Sequence, residues 1–205
     1  MVIAILVILA YLLGSIPTAV WYGKTFHKID VREHGSGNAG ATNTLRVLGN
    51  KAGFIVLFID LLKGFVATAL AYFSGFELGS QTYFNFQMAL GVTAVLGHVF
   101  PIFAGFKGGK GIATLLGMAI ALNFQIAFIC IIAFVTIVWL TKYISVGSMS
   151  AAILAAVLSF FPYFYANNVV ANCFFCAIAI MVVYTHRANV KRLLAGNENK
   201  FAFKK

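Results

Sequence analysis

Runs of almost unbroken apolar residues recur along the chain at about 1–22, 52–73, 84–105, 112–141, 144–164 and 169–186. A helix of about 20 such residues crosses the roughly 30 Å hydrocarbon core of a bilayer. Within lipid every backbone N–H and C=O must be satisfied inside the segment, so runs of this kind fold as helices. The stretches between them leave no room for a separate soluble domain. Only 10% of residues are charged and 61% are hydrophobic, whereas soluble domains carry about a quarter charged residues. The chain therefore reads as one all-α integral membrane domain over residues 1–205.

The first run lacks the positive start and small-residue cleavage site of a signal peptide, so it is expected to remain as a span. Charge then sets the parity. Lys24, Lys28, Arg32, Arg46 and Lys51 follow the first run and Lys107 and Lys110 the third. Arg187, Lys191, Arg192, Lys200, Lys204 and Lys205 follow the last, whereas 74–83 carries only Glu77. Basic loops stay cytoplasmic, yet six crossings would leave the basic tail outside. The fourth run is too long for one upright helix, and Asn123 and Gln125 break it into a short piece, 112–122, and a second, 126–141. Seven transmembrane helices follow, with the N-terminus outside and the C-terminus cytoplasmic. The piece at 112–122 covers only about 16 Å, so it is expected to be short or re-entrant.

Three cysteines, Cys130, Cys173 and Cys176, lie inside apolar runs with no neighbouring charge or His to lower a thiol pKa, so they read as packing residues. The formal charge of +10, spread over span ends, suits anionic lipid or an anionic substrate rather than nucleic acid.

Under this topology three polar segments share the cytoplasmic face. In GSGNAGATNTLR (35–46), Gly35, Gly37 and Gly40 spell G-x-G-x-x-G, but no strand precedes them and a dinucleotide fold is excluded. What remains is a loop whose N–H groups, with Ser36, Asn38, Thr42 and Asn43, suit an oxyanion, while Arg46 offers a phosphate a two-pronged fork. The plainer alternative is a bend for close helix packing. GFKGGKGIAT (105–114) misses the P-loop spacing by one residue and has Gly111 where Ser or Thr should follow Lys110. Even so, glycines opening onto a helix near Ile112, beside Lys107 and Lys110, form an anion site at a helix N-terminus. THRANVKRLLAGNE (185–198) carries His186 and Asn189, which share a face if the last helix continues. Glu198 is placed to pair with a neighbouring base and hold the tail.

Asp60 and Lys63, three apart within a span, are expected to pair, because isolated charges there are expensive. His98, in GHVFP, either lines the site or bonds neighbouring backbone. No metal cluster is evident and no Cys nucleophile is positioned. Direct transfer between two bound substrates asks least of these residues.

GSGNAGATNTLR, GHVFPIFAGFKGGKGIAT and THRANVKRLLAGNE, in this order and spacing, closely resemble the three motifs of the bacterial glycerol-3-phosphate acyltransferases that use acyl phosphate. The resemblance covers nearly the whole chain, and the seven-helix fold of that family agrees with the parity count. It implies transfer of a fatty acyl group from acyl phosphate to the sn-1 hydroxyl of glycerol 3-phosphate, giving lysophosphatidic acid and phosphate, with no cofactor. It implies essential roles for Ser36 and Arg46, and contributions to activity from His186 and Asn189, with Glu198 structural. The acceptor phosphate is expected on Lys107, Gly108, Gly109, Lys110, Gly111 and Thr114, with Gly37, Asn38, Thr42 and Asn43 completing the phosphate-binding set. The implied partners are membrane lipid and a separate phosphate acyltransferase that supplies the donor. The expected setting is the bacterial cytoplasmic membrane, as a multi-pass monomer. A small transporter of phosphate or an organic phosphate is the competing class, but its polar groups would be expected near the midplane in both halves.

Overall fold

A computed structural model of the chain describes residues 1–165 and 168–201. Lys204 and Lys205, two of the charges used for the parity count, lie outside the described residues. All regular structure among these residues is helical, and they form two compact units, one within 1–122 and the other within 123–201.

The first unit contains α1 (Val2–Gly14), α2 (Thr18–His27), α3 (Ala41–Leu48), α4 (Asn50–Ala69), α5 (Gln81–Val99) and α6 (Ile112–Leu122). The second contains α7 (Phe124–Thr141), α8 (Ile144–Ser159), a single turn α9 (Pro162–Tyr165), α10 (Val169–Thr185) and α11 (Arg187–Leu194). Asn50–Ser74, Gln81–Ala104 and Phe124–Thr141 are long and apolar enough to cross a membrane, and two bent pairs bring the count of candidate crossings up to five. Large apolar side chains such as Phe58, Phe128 and Trp139 face outward along these helices, as lipid contact requires.

The breaks follow local chemistry. The first run is not one straight span: α1 and α2 meet at a 43° bend. Pro17 has no N–H to give the helix and disfavours helical backbone at Ile16. The Ile16 carbonyl released by the break accepts a hydrogen bond from Lys63 Nζ at 2.8 Å. The fourth run divides after Leu122 as expected, but α7 starts at Phe124 rather than 126. Asn123 is the reason, since its side-chain oxygen caps Ile126 N at 3.1 Å. The last helix does not continue through the third segment: α10 and α11 meet at 57° around His186. There the ring Nδ1–H joins the backbone in bonding the Val182 carbonyl, at 2.8 Å.

Within the first unit α4 and α6 cross at backbone contact. A side chain at Gly64 would strike the Thr114 carbonyl, and one at Gly117 the Leu61 carbonyl. Lipid gives helices no hydrophobic reason to associate, so close approach through small residues carries the packing. The same unit buries the expected ion pair, with Lys63 Nζ 2.9 Å from Asp60 Oδ1. Thr18 Oγ1 donates to the same oxygen at 2.9 Å, and His98 Nδ1 stands 3.7 Å from it.

Candidate active site

The first polar segment is built around Asn43, on the first turn of α3 and 1% exposed. Its Oδ1 accepts from Ser36 N at 2.8 Å and Ser36 Oγ at 3.1 Å. Its Nδ2 donates to the carbonyls of Val31 and His34 at 2.8 and 3.0 Å. One amide thus holds both ends of the 31–36 loop. Ser36 itself is exposed, as is Thr42, and Asn38 is half-buried. Arg46, one turn beyond Asn43, runs its aliphatic stem past Gly35. Ser36 and Arg46, 10 positions apart in sequence, thereby border the same glycine.

The second segment lies across the end of α5. The N–H groups of Gly108 and Gly109 donate to Val99 O at 3.1 Å and His98 O at 3.2 Å, so these two are not the free donors the glycine content implied. What their glycines permit is close approach. A side chain at Gly108 would strike the His98 carbonyl, and one at Gly109 would strike His98 Nε2 and, at 3.0 Å, the Ala39 carbonyl. Ala39 belongs to the first segment, so the two segments abut. His98 is 6% exposed, packed beneath Gly109 with its Nδ1 unbonded, and its backbone rather than its ring holds the loop. Lys107 is exposed and Lys110 and Gly111 lie at the entry to α6. Thr114 is fully buried with Oγ1 unbonded.

Two residues that the sequence reading did not assign to the site join these segments. Asp30 caps a 3₁₀ turn over Val31–Glu33 and accepts from Arg32 N at 3.0 Å. Arg32 forks onto the same carboxylate, Nε to Oδ1 at 3.0 Å and Nη2 to Oδ2 at 2.7 Å, and its Nη1 reaches Ala104 O at 2.9 Å. Lys24 Nζ adds a contact at 3.2 Å. The Arg32 guanidinium holds the Asp30 carboxyl well below the usual carboxylate range against the opposing effect of burial, and Asp30 raises Arg32 in turn. The available signal was an acid in a chain with only five, two residues from an arginine and directly before the first glycine motif.

The third segment forms its own cluster in the second unit. Glu198 accepts from Asn189 Nδ2 at 2.6 Å, Arg192 Nε at 2.7 Å and Ser145 Oγ at 3.0 Å. Burial pushes its carboxyl up, but the three donors together outweigh that and hold it below its ordinary value. His186 is 3% exposed. Because a carbonyl can only accept, the bond to Val182 O puts a proton on Nδ1. Ser145, on α8, was not legible as a partner from the sequence.

Fold and site together define a helical integral membrane protein whose polar chemistry is gathered at helix ends. The family model for glycerol-3-phosphate acyltransferases matches residues 4–196. Glycerol-3-phosphate acyltransferases of Fusobacterium nucleatum and Listeria monocytogenes are 43% and 44% identical over 201 and 196 residues. Each alignment covers 96% of this chain, with 97% and 95% of the relatives. Among solved structures, PlsY, an integral membrane glycerol 3-phosphate acyltransferase, is similar in its glycerol 3-phosphate form with a TM-score of 0.84 at 36% identity, covering 98% of this chain and 96% of that one. Its lysophosphatidic acid form gives 0.82 at 36% identity, covering 98% and 95%. The chain belongs to the glycerol-3-phosphate acyltransferase family.

Proposed function

We propose that the chain transfers a fatty acyl group from acyl phosphate to the sn-1 hydroxyl of glycerol 3-phosphate, releasing lysophosphatidic acid and inorganic phosphate as the first step of phospholipid synthesis. The observation that carries this reading is the abutment of two glycine-rich, cationic segments on helix ends, in a chain whose structural relative has been captured with both acceptor and product. Two phosphorylated substrates call for that surplus of anion-binding groups.

The reading places catalysis on Ser36, Arg46, His186 and Asn189. Lys107, Lys110 and Gly111 receive the acceptor phosphate, with Gly37, Asn38 and Thr42 contributing from the first segment. Gly108, Gly109 and Thr114 complete the phosphate-binding set in the second segment and Asn43 in the first, where their contacts also shape the loops. Asp60, Lys63 and Glu198 are structural. The glycerol hydroxyl attacks the mixed-anhydride carbonyl, the acyl–phosphate C–O bond breaks, and phosphate leaves with the electron pair. The hydroxyl proton passes to a phosphate oxygen or to His186. A His186→Gln enzyme with an unchanged chemical step and a raised KM identifies His186 as a binder and leaves the phosphate as the base.

Counting both bent pairs and the two shorter apolar helices, Ile112–Leu122 and Ile144–Ser159, as crossings supports seven spans. The proposed orientation is N-terminus outside, with the site facing the cytoplasm from the bacterial cytoplasmic membrane and residues 1–205 acting as one monomeric domain. The test is purified protein with labelled glycerol 3-phosphate and acyl phosphate, acyl-CoA or acyl-carrier protein as donor. Lysophosphatidic acid is expected from acyl phosphate. Equal transfer from the thioesters overturns the donor, and label accumulating in vesicles without product supports a transporter instead.

A further inference from the structure

An arginine among phosphate-binding loops is the obvious candidate for a phosphate fork. Arg32 is spent otherwise. Its Nε and Nη2 are held by the Asp30 carboxylate, and its Nη1 bonds Ala104 O at 2.9 Å and Lys107 O at 3.3 Å. Those carbonyls belong to the first and last residues of the turn Ala104–Lys107, which leads into the glycine-rich loop.

The N–H groups of Ala104 and Phe106 both donate to Pro101 O, at 3.1 and 2.9 Å, but the Lys107 end of the turn is held less well. Its central residues, Gly105 and Phe106, both have positive φ, 62° and 59°, the pattern of a type I′ turn. Glycine accepts that conformation freely, but a phenylalanine does so at a cost in backbone strain. The bond that should close the turn, Lys107 N to Ala104 O, is 3.4 Å long, beyond the ordinary range for an N–H···O bond. Further along, Gly108 and Gly109 are anchored to the end of α5. The strained segment before them, which carries Lys107, is held at both its ends by Arg32.

We propose that Arg32, clamped by Asp30, is a positioning residue: it binds both ends of the Ala104–Lys107 turn and thereby fixes where Lys107 meets the acceptor phosphate. The proposal rests on the glycine-rich loop being the acceptor site. Lysine at position 32 carries the charge but cannot fork onto Asp30 and reach two carbonyls together.

The test is steady-state kinetics with both substrates varied. Arg32→Lys is expected to raise KM for glycerol 3-phosphate about tenfold or more, the scale of one lost charge-assisted hydrogen bond, while KM for the acyl donor stays within about twofold. Adding Phe106→Gly, which removes the strain, is expected to bring the acceptor KM back to within about threefold of the parent. Asp30→Asn separates positioning from direct binding. A strap predicts a raised acceptor KM, whereas a phosphate-binding Arg32 freed from its carboxylate predicts an equal or lower one and overturns the proposal. An unchanged acceptor KM in Arg32→Lys, an equal rise for both substrates, or no rescue by Phe106→Gly also overturns it. If Arg32→Lys does not accumulate in membranes, Asp30→Asn supplies the same measurement. Lys107→Ala guards the underlying reading: an unchanged acceptor KM there removes the loop as acceptor site, whereas a raised one beside a silent Arg32→Lys removes only the strap.

Discussion

The two units bear their polar groups differently. In the first, two carboxylates, three cations, a threonine and a histidine share the load: Asp60 takes Lys63 and Thr18 with His98 beside it, and Asp30 takes Arg32 and Lys24. The second unit has one acid, Glu198, and it alone gathers Asn189, Arg192 and Ser145. Where the load is shared, a single loss leaves other partners in place. Where one carboxylate is the hub, its loss releases three donors at once.

The largest expected effect cuts against that simple picture and sharpens it. Asp60→Asn strands Lys63 within the membrane-spanning part of the first unit. It is expected to lower stability by about 3–5 kcal/mol, most of it recovered by pairing the change with Lys63→Met. Thermal unfolding in detergent measures both, and a double variant as unstable as the single one would mean the pair is not the reason. Next comes the hub itself. Glu198→Gln is expected to cost about 2 kcal/mol, a figure kept low because Arg192 is partly exposed. The loss should be confined to the second unit, seen as faster hydrogen exchange over 186–198 with α4 and α6 unchanged. Faster exchange in the first unit would break the comparison.

The Asp30 and Glu198 carboxylates respond to pH with the same sign. Asp30 and Glu198 are held below their ordinary values of 3.8 and 4.5. A lowered carboxylate stabilises fully above its unfolded value and loses that contribution as pH falls through the folded one. The stability gap between Glu198→Gln and the parent is therefore expected to be full at pH 7 and to close on acidification below its ordinary value, measured by unfolding at a series of pH values. A smaller change is expected for Gly109→Ala, about 1–2 kcal/mol with a raised KM for glycerol 3-phosphate, because the added methyl must displace the His98 ring. Cys173→Ser, on an exposed thiol in the second unit, is expected to stay within about 0.5 kcal/mol.

Much of the fold was legible because the bilayer imposes length and polarity on each span. The division after Leu122 follows from a run too long for one helix and an asparagine able to cap the next. The ion pair of Asp60 and Lys63 follows from their spacing and the expense of leaving either alone. The 57° turn at His186 was not legible, since nothing in THRAN is a helix breaker. It lies where the histidine ring and its own backbone N–H share one carbonyl. The bend at Pro17 was readable in principle, but an apolar run on both sides hid it.

Within the site, local sequence showed which residue types gather at helix ends, and residue chemistry made them suited to phosphate. It could not show which of those groups are already occupied. The Asn43 amide also clasps the 31–36 loop, the N–H groups of Gly108 and Gly109 are taken by α5, and Arg32 grips a turn 72 positions away. The sequence by itself determined a helical membrane chain with three cationic, glycine-rich or polar segments, because hydrophobicity and charge act position by position. Only the tertiary structure decided who holds whom, because a hydrogen bond depends on distance and direction between residues that the chain keeps far apart.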